Sequence, residues 1–574
     1  MPYSPAAPTR PVSFWIWALI LLALIAPPHL AGIDRFATID EPWWVISGSN
    51  FYYALTHRDF AHTIYDYHPA VTTTWVVTAG MLTVFPEYRG FGQGYFDVRK
   101  PNFDNFLMEH GQRTLDLLRN SRLIQSLLLI GLAVLLFYLL QRLMPRAAAL
   151  AAVGMGFNAP FFLGHSRLLN HEGMLTMFIM VSVAAMYAYL HAGRRWVLLL
   201  VSGAAFGLAQ LTKSSSIVVT GVIGLMLLVD LLRQGERPRR LRLLGAIKLF
   251  AIWAGSAALI YFVLWPGMWV APGKMLYEVY GNAFSYAFQG ARLDVTQELE
   301  PAAFSLSGGW GGVMLYLSRW VLRSTPLAWI GLVLTMVFLL CRRLDVPARG
   351  LIAYLLLIAI LFVLMFGLAR GRDSTHYILV SFFSLDMVAG WAWACGLTWL
   401  VERWRIAART AVVGALAALV VVGQTASGLP FRPYYYTYAN PIAVWRRANP
   451  PAGYGEGLEQ AAAYLARKQD SQGLRVFAYD GMGPFSYFFP GRTEVMKKAY
   501  FWEPGLPDVI RGMRWSEYIV VYSAVQESLP ECAGFLAALK DVKPEKVIVL
   551  DGMEAVRVYR SQDIPESVYQ KLAE

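Results

Sequence analysis

Residues 121–141 read SRLIQSLLLIGLAVLLFYLLQ, and Arg142 and Arg146 follow closely. A helix of roughly 20 mostly apolar residues is what crosses the hydrocarbon core of a bilayer. Runs of this kind recur at about 13–30, 147–164, 172–192, 196–212, 214–232, 243–265, 326–341, 350–369, 376–400 and 410–428. With 121–141 they predict about eleven transmembrane helices. A membrane barrel would instead show short alternating strands. The composition agrees, because only 15% of the 574 residues are charged, against about 25% in an average soluble chain. An ordinary soluble enzyme, a disordered chain and a disulfide-stapled scaffold are thereby excluded. The three cysteines, Cys341, Cys395 and Cys532, have neither disulfide-framework nor metal-ligand spacing.

The net charge of +12 raises the question of nucleic acid, but the basic residues sit in short loops between apolar runs. One alternate set of loops holds Arg142 and Arg146, Arg194 and Arg195, Arg233, Arg237, Arg239, Arg240 and Arg242, Arg342, Arg343 and Arg349, and Arg403, Arg405 and Arg409. By the positive-inside rule these loops are cytoplasmic, so the charge sets topology and no nucleic-acid partner is expected. Arg10 falls on the same side. The long loop 31–120, the loop 266–325 and everything after 429 then lie outside the cytoplasm. Ala23 and Ala26 lack the Ala-x-Ala spacing of a cleavage site, so the first run reads as a retained anchor. Val71–Phe85 is too short to span and reads as an interfacial or re-entrant helix.

After Pro430 the pattern changes. Strand-like runs at 474–479, 518–522, 546–550 and 555–559 alternate with helix-like stretches at 456–468 and 530–540, which predicts a small α/β domain. The expected division is a membrane domain, 1–429, and an outer domain, 430–574.

Ionisable residues at span ends are costly and therefore candidates for function. Here they gather on the outer side: Asp40 and Glu41, His165, Arg167, His171 and Glu172, Lys213, and Arg370, Arg372, Asp373 and His376. Each has a plainer reading. Asp40 before Glu41-Pro42 suits a helix N-cap, Lys213 suits a snorkelling lysine, Arg370 and Arg372 suit lipid headgroups, and His68 before Pro69 suits a turn. As a group they are less ordinary, because outward short loops should be poor in cations. Cations beside carboxylates are what a phosphate-bearing substrate and a proton acceptor require.

Several of these stretches resemble the bacterial members of the dolichyl-phosphate-mannose protein mannosyltransferase family, of the GT-C superfamily. The likeness is carried by Asp40-Glu41-Pro42-Trp43-Trp44, by Tyr67-His68-Pro69 through Trp75, and by Arg167 to Glu172, where Glu172 stands for the family's Asp. Leu211-Thr212-Lys213, Trp265 to Trp269 and the junction Pro433–Pro441 with Tyr454–Gln460 extend it. The chain departs from the pattern at His376-Tyr377, where relatives often have Arg-Tyr.

The resemblance implies a GT-C fold and inverting transfer of a sugar from a polyprenyl-phosphate carrier to a protein, glycan or lipid acceptor. The enzyme would sit in a bacterial-type cell membrane with its site outside the cytoplasm. Asp40 is then the base or an acceptor-orienting carboxylate, with Glu41 and Glu172 as supporting carboxylates that either orient acceptor and donor hydroxyls or position Asp40. Lys213, Arg370, Arg372 and His376 bind the donor phosphate, and His68, Arg167, Trp265 and Trp269 contact sugar or acceptor. These cations make a metal unnecessary, while a metal held by Asp40 and Glu172 stands as the alternative. Three other readings stand beside transfer: a lipid-linked-glycan flippase or transporter, which predicts midplane charges and repeats, a polymerase or ligase using a pyrophosphate donor, and a receptor-like or assembly protein whose residues after 430 carry the function, for which about eleven spans are far more than an anchor needs.

Overall fold

The computed structural model describes residues 13–233, 238–293, 308–341, 346–370, 372–406, 408–443 and 452–574. Arg10, Arg237, Arg342 and Arg343, expected in cytoplasmic segments, lie outside the described residues. Among the described residues, seven helices are long and apolar enough to cross a membrane, or nine if each of two bent pairs is one span. The shorter helices Phe14–Leu30 and Trp196–Thr212 occupy the other two expected positions.

Small residues set the packing of this bundle, as expected where lipid removes the hydrophobic drive between helices. The alanine-rich helix Arg146–Phe157 is buried along nearly its whole length. It packs on Leu379–Arg403, where a side chain on Gly390 would come within 2.3 Å of the Ala151 carbonyl. Glu172–His191 runs beside it through the centre, with 94% of its apolar window buried.

Both bends occur at proline. Arg146–Phe157 turns by 64° into Pro160–Ser166, and Asn158 at the corner donates to the Leu24 carbonyl and Thr425 Oγ1. This break carries His165 to the end of the bundle where the candidate residues gather. Trp310–Arg323 turns by 112° into Pro326–Leu340, with Thr325 Oγ1 capping Ala328 N at 3.1 Å. The first of these helices was expected as loop. Its buried side is narrow, Gly312, Val313 and Tyr316, and Trp310, Met314, Leu317 and Val321 are exposed, which suits a helix lying along the membrane surface.

The long first loop is a folded unit. Glu41–Thr56 and Val71–Val84 are mostly buried helices packed together, so closely that a side chain on Gly48 would meet Val77 at 2.3 Å. Val71–Val84 is thus clasped by protein.

The C-terminal residues form a five-stranded sheet in the order β2-β1-β3-β5-β4. The strands are β1 (Arg475–Tyr479), β2 (Arg492–Met496), β3 (Tyr518–Val521), β4 (Lys546–Leu550) and β5 (Met553–Arg560). β1 is parallel to β2 and β3, and β5 is antiparallel to β3 and β4. The two residues joining β4 to β5, Asp551 and Gly552, both have positive φ, the conformation a tight hairpin turn demands. β2 was not expected from the sequence. The fold class is nonetheless as expected, a polytopic helical membrane protein with an α/β domain at its C-terminal end.

The junction before the sheet is tied to the bundle. Arg323 donates to the Tyr438 carbonyl at 2.8 Å, and Gly164 faces the Tyr436 backbone so closely that a Cβ would lie 2.2 Å from its nitrogen. Backbone cannot yield as a side chain does, so Gly164→Ala is expected to destabilise the protein by about 1–3 kcal/mol, the usual cost of overpacking. Thermal unfolding in detergent measures this, and an unchanged midpoint would contradict the close docking.

Candidate functional site

The break at Pro160, the turn before Glu172, the start of Glu41–Thr56 and the segment Asp66–His68 converge on a cavity of about 300 Å³. Its walls include Asp40, Trp43, Trp44, Asp66, Tyr67, His68, His165, His171, Glu172, Arg292, His376, Tyr377 and Tyr454. Of the eleven residues expected to form the site, Asp40, Glu41, Glu172, His68 and His376 line it. Lys213 and Arg372 lie directly behind its walls, joined to Glu172 and to Tyr67 and Tyr377.

Glu41 and Arg122 explain why Asp40 is placed as it is. Glu41 Oε1 accepts from Arg122 Nε and Leu169 N, both at 2.7 Å. Its Oε2 accepts from Arg122 Nη2 at 2.5 Å and from the nitrogen and hydroxyl of Thr38 at 2.8 and 3.0 Å. Arg122 donates further to the carbonyls of Ile33 and Phe36. With both oxygens bonded inside the protein, Glu41 holds the loop that carries Asp40, so of the two supporting roles expected for it the hydroxyl-orienting one has no oxygen left and the positioning one fits. Asp40 occupies the N-cap position but makes no capping hydrogen bond, so the N-cap reading fails as well. Glu41 satisfies the Thr38 amide at this turn, and the Asp40 carboxylate opens onto the cavity.

The other charges sort into pairs. Lys213 Nζ is bonded to Glu172 Oε1 inside the protein, and His171 Nε2 lies 3.2 Å from the same oxygen. Lys213 is therefore not a free cation waiting for phosphate, as the sequence suggested. Asp66 pairs with Arg292 at 3.6 Å. Arg372 differs: its Nη1 donates to the hydroxyls of Tyr67 at 3.0 Å and Tyr377 at 3.2 Å, and its guanidinium lies 3.8 Å from the centre of the Tyr286 ring. Among the described residues it has no carboxylate partner. Among the described residues the site is thus left with one uncompensated anion, Asp40, and one uncompensated cation, Arg372, caged by three tyrosines.

Four expected residues are elsewhere. Arg370 is exposed and lines no part of the cavity. Arg167 donates to the Ala31 carbonyl at 2.5 Å and stacks over Tyr435, a structural strut between the first helix and the junction. Trp265 is fully buried, its indole nitrogen donating to the Thr63 carbonyl. Trp269 is exposed and packs on Phe60. Conversely, Arg122, Tyr67, Arg292, Tyr286, Tyr377 and Tyr454 were not singled out as site residues. Arg292, a cation in a loop expected from the sequence to face outward, carries the same signal that marks Lys213.

Protonation follows from the surroundings. The cavity walls displace much of the water that would hydrate Asp40, and Glu41 lies next to it, so its carboxyl is raised above the usual range although His171 opposes this. Burial and the nearby cations Lys213 and Arg372 push His68 well below its ordinary value, so it is neutral at pH 7. Among the described residues no group of three or more His, Cys, Asp or Glu is placed to hold a metal ion. The expected pair Asp40 and Glu172 fits a metal poorly, because Glu172 is already committed to Lys213.

These two neighbouring acids should respond to mutation with opposite sign. A raised carboxyl binds its proton more tightly in the folded state, so its contribution to stability is present at low pH and is lost as pH rises through the folded value. Ionised Asp40 then costs stability at neutral pH. Asp40→Asn should melt at or above wild type at pH 7, with the difference vanishing below about pH 4. Glu41→Gln leaves Arg122 buried and unpaired and should cost about 3–5 kcal/mol. Thermal melts across pH check both, and a lower midpoint for Asp40→Asn at pH 7 would make Asp40 a structural residue.

Residues 116–265 match the family described as dolichyl-phosphate-mannose-protein mannosyltransferase. No curated protein sequence matches the chain. Among solved structures it is similar to ArnT from Cupriavidus metallidurans in the apo state, at 14% identity over 96% of this chain and 99% of that one, with a TM-score of 0.49. The same protein bound to undecaprenyl phosphate matches at 14% identity over 94% and 98%, with a TM-score of 0.45. The Archaeoglobus fulgidus oligosaccharyltransferase in its apo form matches at 12% identity over 89% and 69%, with a TM-score of 0.43. The family matched across 116–265 is the one that the motifs of the sequence resemble.

Proposed function

We propose that the protein is a membrane glycosyltransferase that moves a sugar from a polyprenyl-phosphate donor to an acceptor on the extracytoplasmic side, with inversion at the anomeric carbon and Asp40 as the base. The observation that carries this reading is that, among the described residues, the charged side chains that line or back the cavity are paired except Asp40 and Arg372. Inverting transfer asks for that division: one carboxylate to take the acceptor proton, and a cation for the phosphate that leaves.

In this reading the acceptor hydroxyl gives its proton to Asp40 as its oxygen bonds to C1. The C1–O bond to phosphate breaks on the opposite face of the sugar, and the electron pair stays with the phosphate. A raised carboxyl suits a base that must hold the proton through the step. Arg372 donates to the oxygens of Tyr67 and Tyr377, so both phenols keep their own protons to offer to phosphate, with the guanidinium's charge behind them. His376 Nε2 adds a further donor. Lys213, paired with Glu172 and lying 4.6 Å from the centre of the Tyr377 ring, orients that phenol. Charge on the phosphate is thereby met by Arg372 and its tyrosines, and no step is assigned to a metal.

The cavity opens at the ends of the spans away from Arg194 and Asp230, on the side that lacks the topogenic cations. A flipped lipid phosphate sugar is the activated donor available there, and the apolar face of Trp310–Arg323 suits its lipid tail. Catalysis is assigned to 1–429, with 430–574 as the outer domain.

The test is transfer from defined polyprenyl-phosphate sugars by purified protein. Asp40→Asn should lower kcat by about 100-fold or more. Arg372→Lys, which keeps charge but loses the planar fork over Tyr286, should not restore activity lost in Arg372→Ala. Activity should persist in EDTA. Wild type that consumes no such donor would overturn the reading, full activity of Asp40→Asn would remove the base, and loss on chelation restored by a divalent cation would move charge neutralisation to a metal.

A further inference from the structure

The wall of the cavity nearest the C-terminal domain is not made by the membrane helices. Tyr454, from the turn that leads into the outer domain, lines the cavity together with His376 and His165. The same three residues line a second cavity of about 420 Å³ on their other side, which also holds Arg319, Arg323 and Asp373.

The turn is built with care. Glu456 accepts from the backbone nitrogens of Ala452, Gly453 and Tyr454 at 3.1–3.2 Å. Its second tie is to the hydroxyl of Tyr522, the residue that follows β3. Gly453 and Gly455 both take positive φ, 85° and 101°, which side chains rarely adopt. The tip is thus fastened to the sheet and aimed at the cavity.

Tyr454 makes two contacts there, in opposite directions. Its hydroxyl lies 3.1 Å from His376 Nδ1. Its carbonyl accepts from Ile39 N at 3.2 Å, one residue before Asp40. A second part of the outer domain reaches the same helix start: Gly483, at φ +90°, leaves room for Pro42, which a side chain would meet at 2.5 Å.

We infer that the C-terminal α/β domain completes the catalytic centre, with Tyr454 as a positioning residue that fixes His376 and the segment carrying Asp40. A phenol donating to Nδ1 leaves the histidine proton on Nε2. His376 then presents a hydrogen-bond donor on its other side, which is what an anionic phosphate takes. Without the phenol the ring is free to change tautomer or rotate.

This inference rests on the donor-phosphate role given to His376 above. Tyr454→Phe removes the hydroxyl and keeps the ring and the carbonyl that holds Ile39. It should raise KM for the lipid donor about three- to tenfold, the worth of one hydrogen bond, with an unchanged melting point. His376→Asn should do at least as much, and the double variant no more than His376→Asn alone, because two residues acting through one another are not additive. In protein labelled with ¹⁵N-histidine, the His376 signals, identified by their loss in His376→Asn, should report the Nε2–H tautomer in wild type and a mixture in Tyr454→Phe. Multiplying effects in the double variant, or an unaltered tautomer in Tyr454→Phe, would overturn the link. If wild type transferred nothing from any polyprenyl-phosphate sugar, the functional reading would fall while the nuclear magnetic resonance comparison still decided the Tyr454–His376 link.

Discussion

The bidentate bond between Glu41 and Arg122 is the constraint on which the site depends. A carboxylate and a guanidinium removed from water cost several kcal/mol each in desolvation unless hydrogen bonds satisfy them, and here they are satisfied by Thr38, Leu169, Ile33 and Phe36 as well as by each other. That network ties the long first loop, the start of Thr114–Leu140 and the turn before Glu172 into one body. It leaves Asp40, one residue away, with no structural work to do. An acid whose neighbour holds the fold can be aimed into a cavity, where desolvation and the adjacent Glu41 raise its carboxyl above the usual range.

The same economy runs through the rest of the site. Lys213 and Glu172 neutralise each other, as do Arg292 and Asp66, so the walls carry little net charge. Arg372 is held by tyrosine faces and hydroxyls, a mode of binding that leaves a cation's charge uncompensated and available to a ligand. The C-terminal α/β domain closes the remaining side through Tyr454 and abuts Pro42 through Gly483. Positions that catalysis needs fixed are therefore set from two directions, by the membrane bundle and by the sheet.

Much of the fold was legible because the physics behind it acts over long windows. Twenty apolar residues announce a span whatever their order, and a helix stands at each expected position. Trp310–Arg323 escaped because its apolar residues are interrupted by Ser318, Arg319 and glycines, and β2 escaped because Arg492-Thr493-Glu494 at a sheet edge carries no hydrophobic run. The site was legible only to the level of a membrane face. Topology placed Arg167, Lys213, Arg370 and Arg372 together, but it does not say which side chain is spent on a carbonyl, a carboxylate or solvent. Arg122 was hidden inside the very run that announced the first long span, so its partner Glu41, adjacent to Asp40, read as a supporting carboxylate with no sign of the cation that holds it.

If the uncompensated charges define where the donor sits, its phosphate lies at Arg372 and its sugar between Arg372 and Asp40. Electron cryomicroscopy of the protein with a non-transferable polyprenyl-phosphate sugar tests this directly. The account predicts phosphate oxygens within hydrogen-bonding distance of Tyr67, Tyr377 and the Arg372 guanidinium, with C1 facing the Asp40 carboxylate across room for one hydroxyl. Phosphate bound instead beside Arg319 and Arg323 in the second cavity, or a sugar held away from Asp40, would contradict it.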